Sequence, residues 1–308
     1  HLLPTGPVSF LLSPVLSLSG RLRVLGEPFA RPRPPDVDET IFDFASRRIG
    51  EEAASVLIDA MVSGVFAGNV RELSLASSFP KMAAMEAAHG GLVKAMLARM
   101  KERRAARREV ATRRARGEAV EELTRPGGPA GPGGTLTSFR EGLDTLPKTA
   151  ARALGGAVRC GVVVERVERG AGDARGSGVG ASTNAGPPDP WLVRLASGDT
   201  LPADAVLLAV PAPKAVPLLD ALDPELAAAV GEIRTAPLSV VALALDAAAA
   251  GGAPDGFGFL VPRGQGPRIL GCLWDSSIFP GRAPTGKVLL RAMIGGAHDP
   301  GANTLSDE

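Results

Sequence analysis

The sequence is poor in the residues that build disulfide frameworks and metal centres. It has two cysteines and three histidines in 308 residues. Cys160 and Cys272 lie far apart with no second thiol near either, so neither a disulfide framework nor a cysteine-type zinc site is expected. His1, His89 and His298 are not spaced as metal ligands. The sequence therefore predicts no bound metal.

Net charge and long apolar runs are also lacking. The formal net charge is +1, whereas nucleic-acid-binding domains usually carry a broad basic excess, so no nucleic-acid partner is expected. No apolar run reaches the ~18 residues of a membrane-spanning helix. The nearest one, residues 236–245, contains Ser239 and is closed by Asp246. With 45% apolar and 22% charged residues, the chain is expected to fold around a core.

The common catalytic motifs are absent as well. The sequence has no Gly-x-Ser-x-Gly elbow, no Walker loop, no His-Glu-x-x-His and no Gly-x-Gly-x-x-Gly opening a βαβ unit. Hydrolytic and phosphoryl-transfer chemistry is therefore not indicated. Composition and periodicity alone predict an α+β protein with one basic helix.

Residues 18 to about 110 have a helical apolar period. Asp36 and Glu39 are spaced as a capping box, and apolar residues recur after them as far as Gly50. The period continues in residues 51–62 and again from Pro80 to Met100, with a weak point at Gly90 and Gly91. We expect a largely helical amino-terminal part.

Residues 101–116 form a basic run, with eight basic side chains against two acidic ones. Such a run is usually a solvated helix extension. A helix held against anionic lipid is the alternative, and the apolar residues 92–100 would supply its apolar neighbour. The sequence leaves both interpretations open.

The rest of the chain alternates loops, strands and helices. The Gly/Pro-rich residues 127–134 and 170–190 are predicted to be loops. Helices are predicted for 141–154 and between 213 and 233. Strands are predicted from β-branched, alternating or continuous apolar runs at 162–164, 191–195, 205–210, 237–245 and 288–294.

Five segments together resemble one enzyme family. The longest is Ser-Gly-Val-Phe-Ala-Gly-Asn-Val-Arg-Glu-Leu-Ser at residues 63–74, and the others follow in order at 138–147, 205–211, 256–262 and 293–296. This pattern resembles the oxygen-dependent, FAD-containing protoporphyrinogen oxidases. The resemblance covers nearly the whole chain and is weakest in the two Gly/Pro-rich loops.

The resemblance implies an α+β fold made of a partial FAD-binding fold, a mixed-sheet substrate domain and a helical membrane-associated subdomain. The implied division is a helical subdomain at 1–132, a substrate-domain segment at 133–158, part of the FAD-binding domain at 159–212, and a substrate-binding domain at 213–308.

The resemblance also assigns substrate-binding residues. An apolar slot for the tetrapyrrole would be lined by Phe257, Leu260, Leu273 and Met293. The turn at Phe66, Gly68 and Arg71 would border the same cavity, because Gly68 and Asn69 tolerate positive φ. From the residues alone, a plain core strand at 256–262 and a plain helix end at 64–74 remain the alternatives.

FAD is the cofactor that the resemblance implies, with Val163, Ala209 and Pro211 contacting it. Protoporphyrinogen IX would be oxidised to protoporphyrin IX, and dioxygen would be reduced to hydrogen peroxide. The flavin carries such chemistry, so no catalytic side chain is assigned. A cytoplasmic protein associated peripherally with an anionic membrane surface is implied, and the oligomeric state, a homodimer included, is left open.

The 308 residues lack two elements of the family pattern. These are the amino-terminal dinucleotide fingerprint and the carboxy-terminal flavin-contacting segment. The basic residue that faces a substrate propionate in the family is also outside these residues. We therefore expect this chain by itself to bind FAD poorly or not at all and to be inactive, although the parent protein would be an FAD-dependent protoporphyrinogen oxidase. Two alternatives stay open: another flavin amine oxidase, such as a polyamine oxidase or carotenoid desaturase, and a non-catalytic membrane- or partner-binding module.

Overall fold

The computed structural model describes residues 7–33, 37–116, 136–170 and 191–306. The chain divides into two compact units, one formed by residues 1–140 and 236–308 and the other by residues 141–235. The predicted loop at 127–134 lies outside the described residues, as does the loop at 170–190 except for Gly170.

The amino-terminal part of the first unit is helical, as the apolar period predicts. A π-helical segment, Ala54–Ile58, joins the fourth helix to the fifth, and a short 3-10 turn, Glu27–Phe29, follows the second. The helices are α1 (Pro7–Leu12), α2 (Leu18–Leu25), α3 (Ile41–Ile49), α4 (Glu51–Ala53), α5 (Asp59–Phe66), α6 (Leu75–Ser78), α7 (Pro80–His89) and α8 (Leu92–Ala115).

The predicted cap of α3 is wrong in position. Asp36 lies outside the described residues, and the N-cap is Thr40. Its Oγ1 accepts a hydrogen bond from the Asp43 amide at 3.1 Å and donates one to Asp43 Oδ2 at 2.7 Å. The cap thus lies four residues further along than predicted, and Asp43 accepts from the Thr40 hydroxyl instead of the Thr40 amide that a capping box would use. Glu39 instead accepts hydrogen bonds from the Arg47 guanidinium.

A buried ionic group holds the helices together. The side chain of Arg48 is 0% exposed and lies 2.8 Å from Glu27 and 3.5 Å from Glu86. The Glu27 carboxylate also accepts hydrogen bonds from the first two amides of α8, at Leu92 and Val93. A carboxylate at a helix amino terminus is stabilised by the unpaired amides there. The predicted weak point between α7 and α8 is a real break, since Gly90 has a φ of 70°.

The second unit pairs a small sheet with three helices. Strands β1 (Val164–Arg169), β2 (Trp191–Leu195) and β3 (Thr200–Ala203) form an antiparallel sheet in that order. The helices are α9 (Thr145–Leu154), α10 (Ala212–Leu219) and α11 (Pro224–Gly231). The strand predicted at 205–210 is absent. Within the described ranges no strand pairs with it, and Leu207 is 91% exposed, because an apolar run forms a strand only where a neighbour satisfies its backbone groups.

The first unit continues as a four-stranded sheet. Its strands are β4 (Leu238–Asp246), β5 (Gly258–Leu260), β6 (Gly271–Leu273) and β7 (Lys287–Gly295), in the order β4-β7-β6-β5. The short helix α12 (Asp275–Ile278) follows β6. The α+β class is thus confirmed. The pairing is antiparallel throughout the described strands, whereas a mixed sheet was expected for the substrate domain.

Candidate functional site

One face of the four-stranded sheet carries three of the residues predicted to line the slot. Leu260 pairs with Gly271, and Gly271 pairs with Met293. Leu273 lies two residues from Gly271 along β6, and residues two apart in a strand share a face. Leu260, Leu273 and Met293 therefore lie on one face, which we call the floor face.

Around β6 and β7 the floor face is more exposed than the reverse face, whereas at β5 the reverse face is exposed too, with Phe259 at 47%. On the floor face Leu260 is 37% exposed, and Leu273 and Met293 are half-buried. On the reverse face Cys272, Val288 and Ala292 are all buried. Burial raises the pKa of the Cys272 thiol, which suits a packing residue rather than a reactive one. Exposed apolar surface on the floor face is what a flat apolar ligand requires.

Helix α5 and the turn after it lie against the end of the floor face at Leu260. A Cβ atom added to Gly64 would come within 2.5 Å of Leu260 Cδ2, so helix and strand approach closely there. The Ala67 carbonyl accepts a hydrogen bond of 2.7 Å from the Ala297 amide, just beyond β7. The predicted turn at 63–74 is therefore attached to the sheet.

The geometry of that turn differs from the prediction in one respect. The residue with positive φ is Ala67, at 50°, and neither Gly68 nor Asn69 adopts such a conformation. Gly68 is needed for space instead, because a Cβ there would lie 2.7 Å from Leu73 Cδ1. The ring of Phe66 is half-exposed and meets Phe79 edge-on at 5.5 Å between centroids.

Arg71 has an aromatic partner. Its guanidinium carbon lies 3.5 Å from the centroid of the buried Phe42 ring, and its amide donates to Asn69 Oδ1 at 3.1 Å. This stacking orients the cation over α3. The described contacts of Arg71 are thus with α3 and with its own turn, and a role toward a ligand stays a prediction.

Phe257 does not join the floor face. It precedes β5, its carbonyl accepts a hydrogen bond from the Trp274 amide at 3.0 Å, and its side chain is exposed. By strand alternation Phe257 falls with Phe259, on the opposite side from Leu260. The structure therefore brings together three of the four predicted slot residues.

A polar cluster that the sequence reasoning missed lies beside α5. Asp59 is 6% exposed, and its Oδ1 lies 3.0 Å from Arg263 Nη2 and 3.5 Å from His298 Nε2. Burial lowers the pKa of His298, and the Arg263 charge lowers it further. The cluster borders a cavity of about 370 Å³, which Ser63 and Arg268 also line. Because 204 positions separate Asp59 from Arg263, no local spacing could have signalled the pair.

A second missed group lies on the floor face itself. Arg291 pairs with Leu273 across β6 and with Ala242 across β4. Its Nη2 donates to Asp275 Oδ1 at 2.9 Å, and the Arg291 side chain is 44% exposed. A chemical signal was present in the sequence, since Arg291 interrupts the apolar alternation of β7. Its partner and its apolar surroundings emerge only from the strand register.

The predicted cofactor residues lie in the second unit. Val163 immediately precedes β1, and its carbonyl accepts a hydrogen bond of 3.0 Å from the Ala196 amide. Pro211 is the N-cap of α10, and its carbonyl accepts from the Lys214 and Ala215 amides. These two carbonyls are thus used within the protein. The Val163 side chain is exposed, as are Leu207, Ala209 and Val210 in the segment between β3 and α10, and these are the parts that could meet a ligand.

Across the described ranges, no three His, Cys, Asp or Glu side chains are grouped so that they could hold a metal ion. In the same part of the chain, no helix is long and apolar enough to cross a membrane.

Comparison of the sequence with known families identifies the class of protein to which the chain belongs. The sequence matches the family of flavin-containing amine oxidoreductases over residues 1–308, and the chain belongs to that family. It is therefore a member of an oxidoreductase family whose cofactor is FAD.

Within that class, the chain is similar to enzymes that act on porphyrinogens. It is 29% identical over 305 residues to a chloroplastic protoporphyrinogen oxidase of Oryza sativa subsp. japonica, covering 97% of this chain and 52% of the relative. It is 33% identical over 301 residues to the protoporphyrinogen oxidase of Homo sapiens, covering 96% and 56%. It is 26% identical over 308 residues to the coproporphyrinogen III oxidase of Bacillus subtilis (strain 168), covering 99% and 57%. The chain spans about half the length of these relatives.

A solved structure supports the fold. A crystal structure from Exiguobacterium sp. 255-15, whose protein carries a provisional assignment as a protoporphyrinogen oxidase, superposes with a TM-score of 0.69. It covers 99% of this chain and 56% of the other, at 22% sequence identity. At that identity the likeness establishes the fold alone.

Proposed function

We propose that this chain belongs to an enzyme that oxidises protoporphyrinogen IX to protoporphyrin IX with dioxygen as the acceptor. The observation that carries the proposal is the floor face, where Leu260, Leu273 and Met293 form a partly exposed apolar surface. A flat macrocycle suits such a surface, because its orientation then needs few polar groups. The similarity to porphyrinogen oxidases adds the substrate class.

The residues of this chain would position the substrate. Burying apolar ring surface on the floor contributes roughly 25 cal/mol per Å². The thioether of Met293 adapts its shape to a ring face more readily than a branched side chain does. Phe66, Gly68 and Arg71 would border the substrate from the turn after α5, and Phe257 would contact the ligand at the edge of the sheet rather than from the floor.

FAD, when bound, supplies the chemistry by accepting hydride equivalents from the substrate and passing electrons to dioxygen. Within the second unit, the exposed Val163 side chain and the exposed Ala209 fit a contact with it. The carbonyl of Val163 accepts one hydrogen bond within the protein and keeps a second lone pair for a ligand, whereas the carbonyl of Pro211 already accepts two. We propose that this chain supplies only this part of the cofactor site.

Coproporphyrinogen III is a second candidate substrate. The relative that bears this substrate in its name matches 99% of the chain. The two substrates share the ring that would lie on the floor and differ in their edge substituents. Residues at the edge of the floor would therefore distinguish them.

The test uses the product of the complete open reading frame that contains these 308 residues. The purified protein is examined for flavin absorbance, and each porphyrinogen is supplied aerobically while porphyrin fluorescence is recorded. Flavin absorbance together with rapid formation of protoporphyrin supports the proposal. A faster reaction with coproporphyrinogen III would favour that substrate. Flavin absorbance without either porphyrin product would point to another amine oxidase activity. Protein without flavin absorbance would refute both proposed substrates.

We also propose that the helical part of the first unit rests on an anionic membrane surface. Leu22, Leu25 and Phe29 expose apolar side chains, and Phe29 is 90% exposed. The turn that carries Phe29 is held to the start of α8 through Glu27. Helix α8 in turn carries the basic run, so apolar and cationic groups occur in adjoining elements, as in interfacial proteins.

Vesicle sedimentation tests this surface. Pelleting with phosphatidylserine vesicles is expected to fall when Lys101, Arg104 and Arg108 are changed to Gln, and to fall in high salt, because exposed charges are then screened. Phe29→Ser should weaken the part of binding that resists salt. Equal pelleting with neutral and anionic vesicles would contradict the charge-based part of the proposal.

A further inference from the structure

We propose that Arg291 binds a carboxylate of the flat ligand that covers the floor face. This inference rests on the proposed function, because a tetrapyrrole substrate joins an apolar ring to ionised propionate groups. A cation at the edge of an apolar floor is the complement of such a molecule.

The charge pattern of the floor face singles out Arg291. Among the described strand residues on this face, the other charged side chains are Asp246 and Lys287, which pair with each other at 2.6 Å at the far end. The direct neighbours of Arg291 are the apolar Leu273 and Ala242. A charge among apolar groups on a half-open surface costs free energy unless it is paired. The pair with Asp275 offsets part of this cost, and a carboxylate of the ligand would offset more of it.

The contact with Asp275 leaves Arg291 able to bind. A guanidinium has five N–H donors, and the hydrogen bond to Asp275 Oδ1 comes from Nη2 alone. Asp275 is mostly buried, at 15% side-chain exposure, so it holds the guanidinium at this place on the floor. The remaining donors suit a second carboxylate, since arginine binds carboxylates through paired parallel hydrogen bonds.

The spacing along β7 also fits. Arg291 and Met293 are two residues apart on the same face, which is about 7 Å in an extended strand. A macrocycle lying over Leu273 and Met293 would bring a propionate substituent on its rim within reach of Arg291. The small side chain of Ala242, opposite Arg291 on β4, leaves space for that group.

Equilibrium binding to the complete gene product tests the proposal. The probes are protoporphyrin IX and its dimethyl ester, which keeps the ring and removes both charges, and binding is followed by porphyrin fluorescence. Arg291→Met should weaken binding of protoporphyrin IX about tenfold and leave binding of the ester unchanged. Arg291→Lys should recover part of the loss, because the charge returns without the paired geometry.

Arg268→Met is the matched control. Arg268 is also an exposed arginine paired to an aspartate, Asp299, at 2.8 Å, but it lies outside the floor face. This variant should bind both probes as the unaltered protein does. If Arg291→Met binds protoporphyrin IX normally, or loses both probes equally, Arg291 is only a structural ion pair and the proposal is wrong. If the unaltered protein binds neither probe, the proposed function itself fails.

Discussion

Gly64 of α5 lies directly against Leu260 of β5, with no room for a Cβ atom between helix and strand. The atom in the way is the end of the Leu260 side chain, which can rotate, and not backbone. The position of Leu260 on the floor face therefore depends on a glycine almost 200 positions away in the sequence.

Gly64→Ala should change ligand binding more than stability. The new methyl group would displace the Leu260 side chain, while alanine itself favours the helix by up to about 1 kcal/mol. We expect protoporphyrin binding to weaken several-fold with little loss of free energy of unfolding. Gly231→Ala in α11, where the nearest atom lies 3.8 Å from the added Cβ, is the control that should leave porphyrin binding unchanged. Unaltered porphyrin binding in Gly64→Ala would show that Leu260 does not shape the site.

Gly258→Ala should be far more destabilising than Gly266→Ala. Both glycines have positive φ, so alanine costs about 1–2 kcal/mol at either position. At Gly258 the added Cβ would also overlap the Cys272 carbonyl oxygen, which belongs to the backbone of the paired strand, whereas Gly266 faces open space. Denaturant unfolding should give a loss of at least 3 kcal/mol for Gly258→Ala. Equal losses for the two variants would mean that β5 does not approach β6 as closely as described.

Asp59→Asn should destabilise the first unit by about 1.5–3 kcal/mol, the range for hydrogen bonds to charged groups. The change removes the charge that faces Arg263 and His298 from a buried position. Asp246→Asn breaks the exposed pair with Lys287 and should cost less than about 0.5 kcal/mol. Thermal unfolding of both variants provides the comparison, and a larger loss for Asp246→Asn would contradict the importance of the buried cluster.

Stability should depend on pH through His298. Its pKa is lowered in the folded protein by burial and by Arg263, despite the opposing charges of Asp59 and Glu72. The unfolded chain then binds a proton more readily near pH 6.5, so the free energy of unfolding falls as pH drops below that value. His298→Asn should flatten this slope between pH 7 and pH 5. His89→Gln, at an exposed helix end, should not, and identical slopes in all three proteins would refute the assignment.

Local patterns predicted much of this fold. The apolar period, interrupted by glycine and proline, predicted helices α3, α7 and α8 and strands β2, β4 and β7. These signals act within a few residues of the chain. The run at 205–210 has an equally strong apolar pattern, yet it is not a strand, since no described neighbour pairs with it. Pairing is a long-range property that local composition does not encode.

The candidate site, like the fold, has one part that the sequence predicted and another that it did not. The resemblance to porphyrinogen oxidases predicted Leu260, Leu273 and Met293, and the strand register places them on one face. The left-handed residue at the turn is Ala67 rather than a glycine or asparagine, because tertiary contacts with Gly296 and Ala297 fix that backbone. The ion pairs of Asp59 with Arg263 and of Arg291 with Asp275 depend on how distant segments meet. Sequence spacing alone could not show either.

Binding of a flat porphyrin to the floor face is tested most directly by substituting two neighbouring residues of β7. Met293 lies on the floor face and Ile294 on the reverse face, and both are half-buried. Met293→Asn and Ile294→Asn in the complete gene product are compared by titration with protoporphyrin IX, with thermal unfolding as a check on folding. We expect Met293→Asn to weaken porphyrin binding at least tenfold and Ile294→Asn to bind normally. Equal binding by both variants, or a loss confined to Ile294→Asn, would contradict binding at the floor face.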